Sequence, residues 1–430
     1  MMLTRKRWLA ASALVAVSAL AAGCSSSGGG NSGGSGSGGH FTVAVGVEHA
    51  FTGQNSFFGL NAEAACKAAA QQVNGAGGIL GHQLTCPVFD TKGDPADAVP
   101  VTNRMLVATG HLVMVLGPDG NDIPSVLPLL EKAGIPEINT VGDPRYDTQT
   151  SPDFWRLTPS DSTQAPALAY YAYSKGFKKV AEIFTSDLSA QTTTGPFKAA
   201  YTKMGGTIVK ALTIAPDQSS YQTEVSQVLA AHPQAVVGEM DAQTAATFLS
   251  EMRQQHGSII PVIMTQRATQ GDWAPAVGPA IGQSSLAKYV TAIAPALSAT
   301  GTAYDAYASA MKATKANPFA AHNSFVAAQY DGVIAFALAM EMAKSIDPSA
   351  YVKDIAKITA PSPGATVVGT FAEGVAALKA GKTIQFIGAS GPMVFNQYNT
   401  ADRPYAVWTF NPATSGWSMG QILPKDAGQH

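Results

Sequence analysis

Charge is what this chain has least of. Lys, Arg, Asp and Glu together make up 13% of its 430 residues, about half the share usual in soluble proteins. The formal net charge is −2, so no basic footprint for a nucleic acid exists. Eight histidines are scattered along the chain. No H-E-x-x-H, G-x-S-x-G or S-x-x-K arrangement stands in a convincing context. Asp90, Asp94 and Asp97 form an acidic stretch, but not with the spacing of a calcium loop. They read as a turn and the start of a helix at Pro95. These absences argue against an enzyme, and no metal or organic cofactor is expected. Beyond residue 22 no second apolar run reaches the roughly 20 residues of a membrane span. Cysteine is scarce, at three residues.

What is present begins at the N-terminus. Arg5, Lys6 and Arg7 are followed by an uncharged stretch, WLAASALVAVSALAA, at 8–22. A basic head and an apolar core of this length suit an export signal. Leu20-Ala21-Ala22-Gly23-Cys24 resembles the lipobox of bacterial lipoproteins, whose cysteine becomes the lipidated first residue. Residues 25–39 are eight glycines, six serines and one asparagine. Such a segment has no apolar surface to bury and serves as a flexible tether of about 20 Å reach. The expectation is a signal peptide at 1–23, lipidation at Cys24, and a tether through 40. The alternative is a simply cleaved signal with an incidental cysteine.

Cys66 and Cys86 remain. Exported proteins meet oxidising conditions, which favours a bridge between them. Two buried free thiols are the alternative.

The rest of the chain alternates. Strands are predicted at 41–47, 82–90, 111–116 and 135–139, with helices at 56–74, 95–109 and 122–133 between them. The pattern then repeats with strands at 178–185, 206–214, 234–239 and 260–265, and helices at 190–204, 219–231 and 242–256. A long apolar helix is predicted at 321–345, and short strands and turns over 366–421. This alternation predicts α/β architecture with parallel sheets. Gly75-Ala-Gly77-Gly78-Ile-Leu80-Gly81 is not a dinucleotide loop. It follows a helix rather than a strand, and reads as a helix stop.

At QQVNGAGGILGHQL (71–84) the chain resembles type I periplasmic solute-binding proteins of ABC importers, in the leucine/isoleucine/valine-binding branch. FTGQNSFFG (51–59), MVLGPDGNDIPSVLPLLEKAGIPEINT (114–140), FWRLTPSDSTQAPALAYYA (154–172), AQYDGVIAFALAM (328–340) and GKTIQFIGASGPMVF (381–395) follow in the family's order. The resemblance implies two doubly wound parallel-sheet lobes joined by three crossovers. Lobe 1 is placed at 41–160 and 318–390, and lobe 2 at 161–317 and 391–430. It also implies a ligand cleft at the strand ends, where open α/β sheets bind, and closure by hinge motion.

Candidate ligand residues follow by loop. The first lobe offers His49, Phe51, Thr52, Gln54, Phe58, Asp119, Gly120, Asn121, Asp122 and Thr140. The second offers Ser189, Gln191, Asp241, Gln266 and Arg267. Asp119–Asp122 could equally be helix-capping residues. Amino-acid binders usually carry serine or threonine where Asp119-Gly120-Asn121-Asp122 stands, and an acid near Gln266. Those departures favour a hydroxyl-rich, amide or cationic ligand over a free carboxylate, with an amino acid bound through altered contacts as the alternative. The implied partners are a small polar solute, an ABC permease with its ATPase, and a membrane contacted only through the lipid. A monomer outside the cytoplasm is expected. A ligand sensor of the same fold and a surface enzyme are the competing readings.

Overall fold

Residues 42–49 (TVAVGVEH) form a strand with seven of eight residues buried, as a strand covered on both faces requires. This computed structural model describes residues 41–53, 56–298, 300–315 and 322–427. The export signal, Cys24, the tether and Gln54 lie outside the described residues.

The first sheet comprises β1 (Thr42–His49), β2 (Gln83–Thr85), β3 (Val88–Asp90), β4 (Leu112–Leu116), β5 (Glu137–Asn139) and β6 (Phe154–Arg156). Its order is β2-β1-β4-β5-β6, with β3 also on β1, and every pair is parallel. The second sheet begins with β7 (Lys179–Thr185), β8 (Thr207–Ile214), β9 (Ala235–Glu239), β10 (Val262–Met264) and β11 (Val290–Pro295), again parallel. Small sheets hold β12 (Thr366–Val368), β13 (Ile384–Gly388) and β14 (Gly391–Pro392), then β15 (Val394–Phe395) and β16 (Ala401–Asp402). The hairpin β17 (Tyr405–Asn411) and β18 (Gly416–Ile422) adds antiparallel to β11.

Helices connect the strands: α1 (Ser56–Gly75), α2 (Pro95–Ala108), α3 (Ile123–Ala133), α4 (Asp161–Ser174), α5 (Leu188–Lys203), α6 (Gln222–Ala230) and α7 (Ala242–His256). Then come α8 (Trp273–Ile281), α9 (Gln283–Tyr289), α10 (Thr302–Ala313), α11 (Ser324–Ala343), α12 (Pro348–Thr359) and α13 (Phe371–Lys379).

The predicted strand at 82–90 is split in two at Cys86-Pro87. Proline has no N–H for a ladder, so Pro87 gives only its carbonyl, to Val47 N at 2.8 Å. The sequence reading passed over α8, α9 and β11, where Pro and Gly in WAPAVGPAI blur the periodicity, and also α12. Within the stretch it took as short strands and turns, Phe371–Lys379 is a helix, started by a capping box of Thr370 and Glu373. The reading placed α10 in the second lobe, but that helix packs on α1, beside the first sheet. The chain leaves the first sheet over residues 157–160, and α4 packs on β9, β10 and β11. It returns between β11 and α10, and passes back between β14 and β17.

By length and apolarity alone, α11 could cross a membrane, contrary to the sequence reading. In the fold 83% of its most apolar window is buried, packed against α1 and α12. It is the central helix of the first lobe's core.

Cys66 on α1 and Cys86 after β2 are joined as a disulfide, with Cα atoms 6.1 Å apart. The closed loop spans a sequence separation of 20, for which chain entropy gives about 3 kcal/mol. The double variant Cys66→Ala/Cys86→Ala is expected to lose that much stability in urea titrations. Oxidised and reduced protein with identical midpoints would show that the bond adds nothing.

Candidate functional site

Parallel sheets collect the loops after their strands along one edge. In the first sheet the loop after β1 is held from both sides by carboxylates. Asp90, ending β3, accepts from Phe51 N at 2.8 Å and Thr52 Oγ1 at 2.9 Å. Partial burial opposes its ionisation, but these donors and the Lys92 N–H hold its carboxyl below the usual range. Asp119, after β4, accepts from Ala50 N at 2.7 Å and lies 2.8 Å from His49 Nδ1. Gly117 makes this approach possible, because a Cβ there would lie 1.9 Å from the Glu48 carbonyl.

Thr52 and Asp119 therefore fasten a loop, and Asn121 is exposed. Asp122 is wholly buried, not open to the cleft. It stands at the start of α3 yet makes no capping hydrogen bond. Burial pushes its carboxyl up to about 6; the Thr91 hydroxyl beside it lowers the value and the nearby Asp119 charge raises it. Beneath it Glu48 is pushed by burial to about 7. Gly120 packs against Val141, and Phe58 lies 4.1 Å from the Phe57 ring centre.

In the second sheet Asp241 is a helix cap, accepting from Thr244 N at 3.0 Å. Gln191 Nε2 donates to the Thr185 carbonyl at 2.7 Å, which also turns it to the protein. Ser189 donates to Glu239 Oε1 at 3.2 Å, and Thr265 donates to Oε2 at 2.6 Å. Glu239 went unnoticed in the sequence, although a charge closing the apolar run AVVGE is a signal of a site. Burial pushes its carboxyl up to about 7; the Thr265 hydrogen bond lowers it, while Asp187 and Asp161 push it further up.

The two edges meet. Arg267 pairs with Asp272 through two hydrogen bonds of 2.9 Å. Its guanidinium also stands 4.5 Å from the Phe57 ring centre at the start of α1. Deeper, Thr140 of the first lobe and Gln266 of the second line one small cavity with Thr158, Gln164 and Tyr405. Asp161 lies beside this cavity, donating its N–H to the Gly142 carbonyl at 2.8 Å. Thr192 donates to its carboxylate at 2.7 Å, and burial pushes that carboxyl up to about 6. A Cβ on Gly142 would lie 2.2 Å from Asp161 Oδ1, so this contact needs glycine. Of the expected residues, Thr140 and Gln266 thus share a cavity, Arg267 reaches across, and Asp161, Gln164 and Phe57 join them unforeseen. Among the described residues no group of three or more His, Cys, Asp or Glu could hold a metal ion.

Residues 42–415 match the pattern of the periplasmic binding protein family. A Leu/Ile/Val-binding protein homologue of Brucella melitensis is 25% identical over 195 residues, 45% of this chain. That match spans 53% of the relative's own length. The leucine-binding protein LivK of Thermotoga maritima superposes with a TM-score of 0.71 at 18% identity, covering 90% of this chain and 99% of its own. A solute-binding protein of an ABC transporter from R. palustris, in complex with benzoate, gives 0.67 at 17% identity over 89% of this chain and 96% of its own.

Proposed function

The chain belongs to the periplasmic binding protein family, and from that premise we propose that it captures a small polar solute between two lobes and hands it to an ABC permease and its ATPase. The family acts outside the cytoplasm and binds solutes rather than transforming them. The observation that carries the reading is the meeting of Thr140 and Gln266, from opposite strand edges, at one polar cavity. Arg267 over Phe57 acts as a latch between the same edges. Hinge closure of this kind excludes water from a solute and strengthens each hydrogen bond to it.

The solute in this reading is not a plain branched-chain amino acid. The loop that would meet a substrate carboxylate carries Asp119 and Asp122 instead of hydroxyls. Asp122 is buried away from the cleft, so the charge that counts is Asp119: a carboxylate placed 4 Å from it would be repelled by about 1 kcal/mol in water, and more where water is excluded. The names of the similar structures, one leucine-binding and one holding benzoate, fit a scaffold that accepts different solutes. Lipidation at Cys24 would hold a monomeric receptor at the outer face of the membrane on its Gly/Ser tether.

A thermal-shift panel of amino acids, amides, polyols, sugars and polyamines tests the reading. A solute at 100 times its Kd adds about 2.7 kcal/mol of stability. No shift with any member, followed by no binding in calorimetry, would sink it. Tight binding of leucine, isoleucine or valine would keep the family function and overturn the proposed selectivity. Cys24→Ala should move the protein from the membrane to the soluble fraction without changing solute affinity. Continued membrane fractionation of that variant would remove the anchor.

A further inference from the structure

The cavity shared by Thr140 and Gln266 has an unusual hydrogen-bond inventory. Gln164 is 1% exposed and donates Nε2 to the Ile293 carbonyl at 3.1 Å, which leaves Oε1 buried without a partner. Gln266 Oε1 is likewise buried and unpartnered. Thr158, 1% exposed, has a hydroxyl with no partner. All three residues line the same cavity. The Tyr405 hydroxyl is already spent on the Ser160 carbonyl at 3.2 Å. Pro159, Pro295 and Phe325 complete the walls, so no lining residue carries a formal charge.

Buried polar atoms left unpaired are costly. All three belong to residues that line one cavity, and together they set what a group bound there has to offer. Two carbonyl oxygens need two N–H or O–H donors. The Thr158 hydroxyl can donate to an acceptor. As it stands the cavity has room for about one water, so a solute group reaches it only as the lobes open; a primary carboxamide then supplies both, its NH₂ carrying two donors and its carbonyl accepting. An ammonium group would bring a full charge with no carboxylate lining the cavity to balance it, which is expensive when buried. A carboxylate would face two carbonyl oxygens and find one donor.

Resting on the solute-binding reading above, we propose that this cavity is a subsite for a neutral carboxamide group of the solute, its NH₂ shared between Gln164 and Gln266 and its carbonyl received by Thr158. The nearby Asp161 carboxylate is held by Thr192 and packed on Gly142. It lies beside the cavity without lining it.

The test uses the full chain and probes matched in size: propionamide, propylammonium and propionate, titrated by ligand-observed NMR. Propionamide is expected to bind at least 10-fold more tightly than either charged probe. Gln266→Leu and Gln164→Leu are each expected to weaken propionamide 5- to 20-fold, since each leaves one donor unpaired. Gln266→Glu is expected to raise propylammonium binding and lower that of propionamide. Gln266 is the more exposed of the two, so its variants remain informative should Gln164→Leu fail to fold. Equal or tighter binding of propylammonium by the parent protein would overturn the subsite. So would propionamide binding unchanged in Gln266→Leu, or no propionamide binding at all. If the broader panel still yields a solute in those cases, the receptor function stands and only the carboxamide subsite falls.

Discussion

Asp331→Ala is expected to cost about 3–5 kcal/mol of stability, the range for breaking a buried charged network from one side. Asp331 sits in the middle of α11 and is 0% exposed. Its carboxylate accepts from Ala389 N at 2.9 Å, from Ser390 N at 2.6 Å and from the Ser390 hydroxyl. Gly388 permits this, because a Cβ there would lie 2.1 Å from Asp331 Oδ1. Arg403, also buried, donates to the carbonyls of Ala296 and Ser390. The pair of residues thereby joins α11 to two of the three segments that pass between the lobes. Burial pushes the Asp331 carboxyl up to about 6 against the pull of its donors, and draws Arg403 down to about 10. Alanine would strand three donors and leave Arg403 without its nearby negative charge. At roughly 2 °C per kcal/mol for a chain of this size, the melting temperature should fall by about 6–10 °C. Asp331→Asn keeps one acceptor oxygen and should lose less. A melting temperature for Asp331→Ala within a degree of the parent would mean that the network does not hold the crossing segments.

Strands such as AVVGE and KVAEIFT were legible because β-branched runs bounded by polar residues have few other places to go. The family resemblance was legible for a related reason, since it rests on the order of such elements. Site chemistry was harder to read. Asp119 and Asp241 are acids in loops after strands, and loop position in the family pattern made them ligand candidates. The fold uses one to staple the β1 loop and the other to cap α7. Asp122 is the reverse case: it occupies the capping position but makes no cap and lies buried. Only the cap is local, since Asp241 accepts from Thr244 three residues on; the fate of Asp119 depends on an N–H arriving from the distant β1 loop, which local sequence does not show. The Arg267–Phe57 contact and the cavity lined by both Gln164 and Gln266 join residues far apart in the chain. No spacing rule reaches them.

The protein should lose stability as the pH rises from about 5 to 8, by an amount on the order of 3 kcal/mol for each strongly shifted carboxyl. Glu48 on β1 is 0% exposed, takes one hydrogen bond of 2.6 Å from Thr102, and leaves Oε2 unpaired. Burial is the main cause that pushes its carboxyl from 4.5 to about 7; the Thr102 hydrogen bond lowers it, the Asp122 charge raises it and His49 lowers it. Glu137 on β5 is buried as fully, and burial pushes it well above its ordinary value, with the Glu48 charge adding to the rise. Across the cleft Glu239 behaves likewise. Between pH 4.5 and 7 the folded state therefore holds protons that the unfolded chain has already released. Its stability contribution is complete below the unfolded value and is lost as pH rises through the folded one. Asp90, held low by its donors, titrates in the opposite sense at more acid pH. Glu48→Gln keeps an acceptor for Thr102 and removes the charge. It should match the parent near pH 5 and exceed it by about 2–3 kcal/mol at pH 8, flattening the profile. Urea titrations at pH 5, 6.5 and 8 read this directly. A parent profile that is level or rising over that interval, with the same slope in Glu48→Gln, would show that these buried carboxyls ionise without cost.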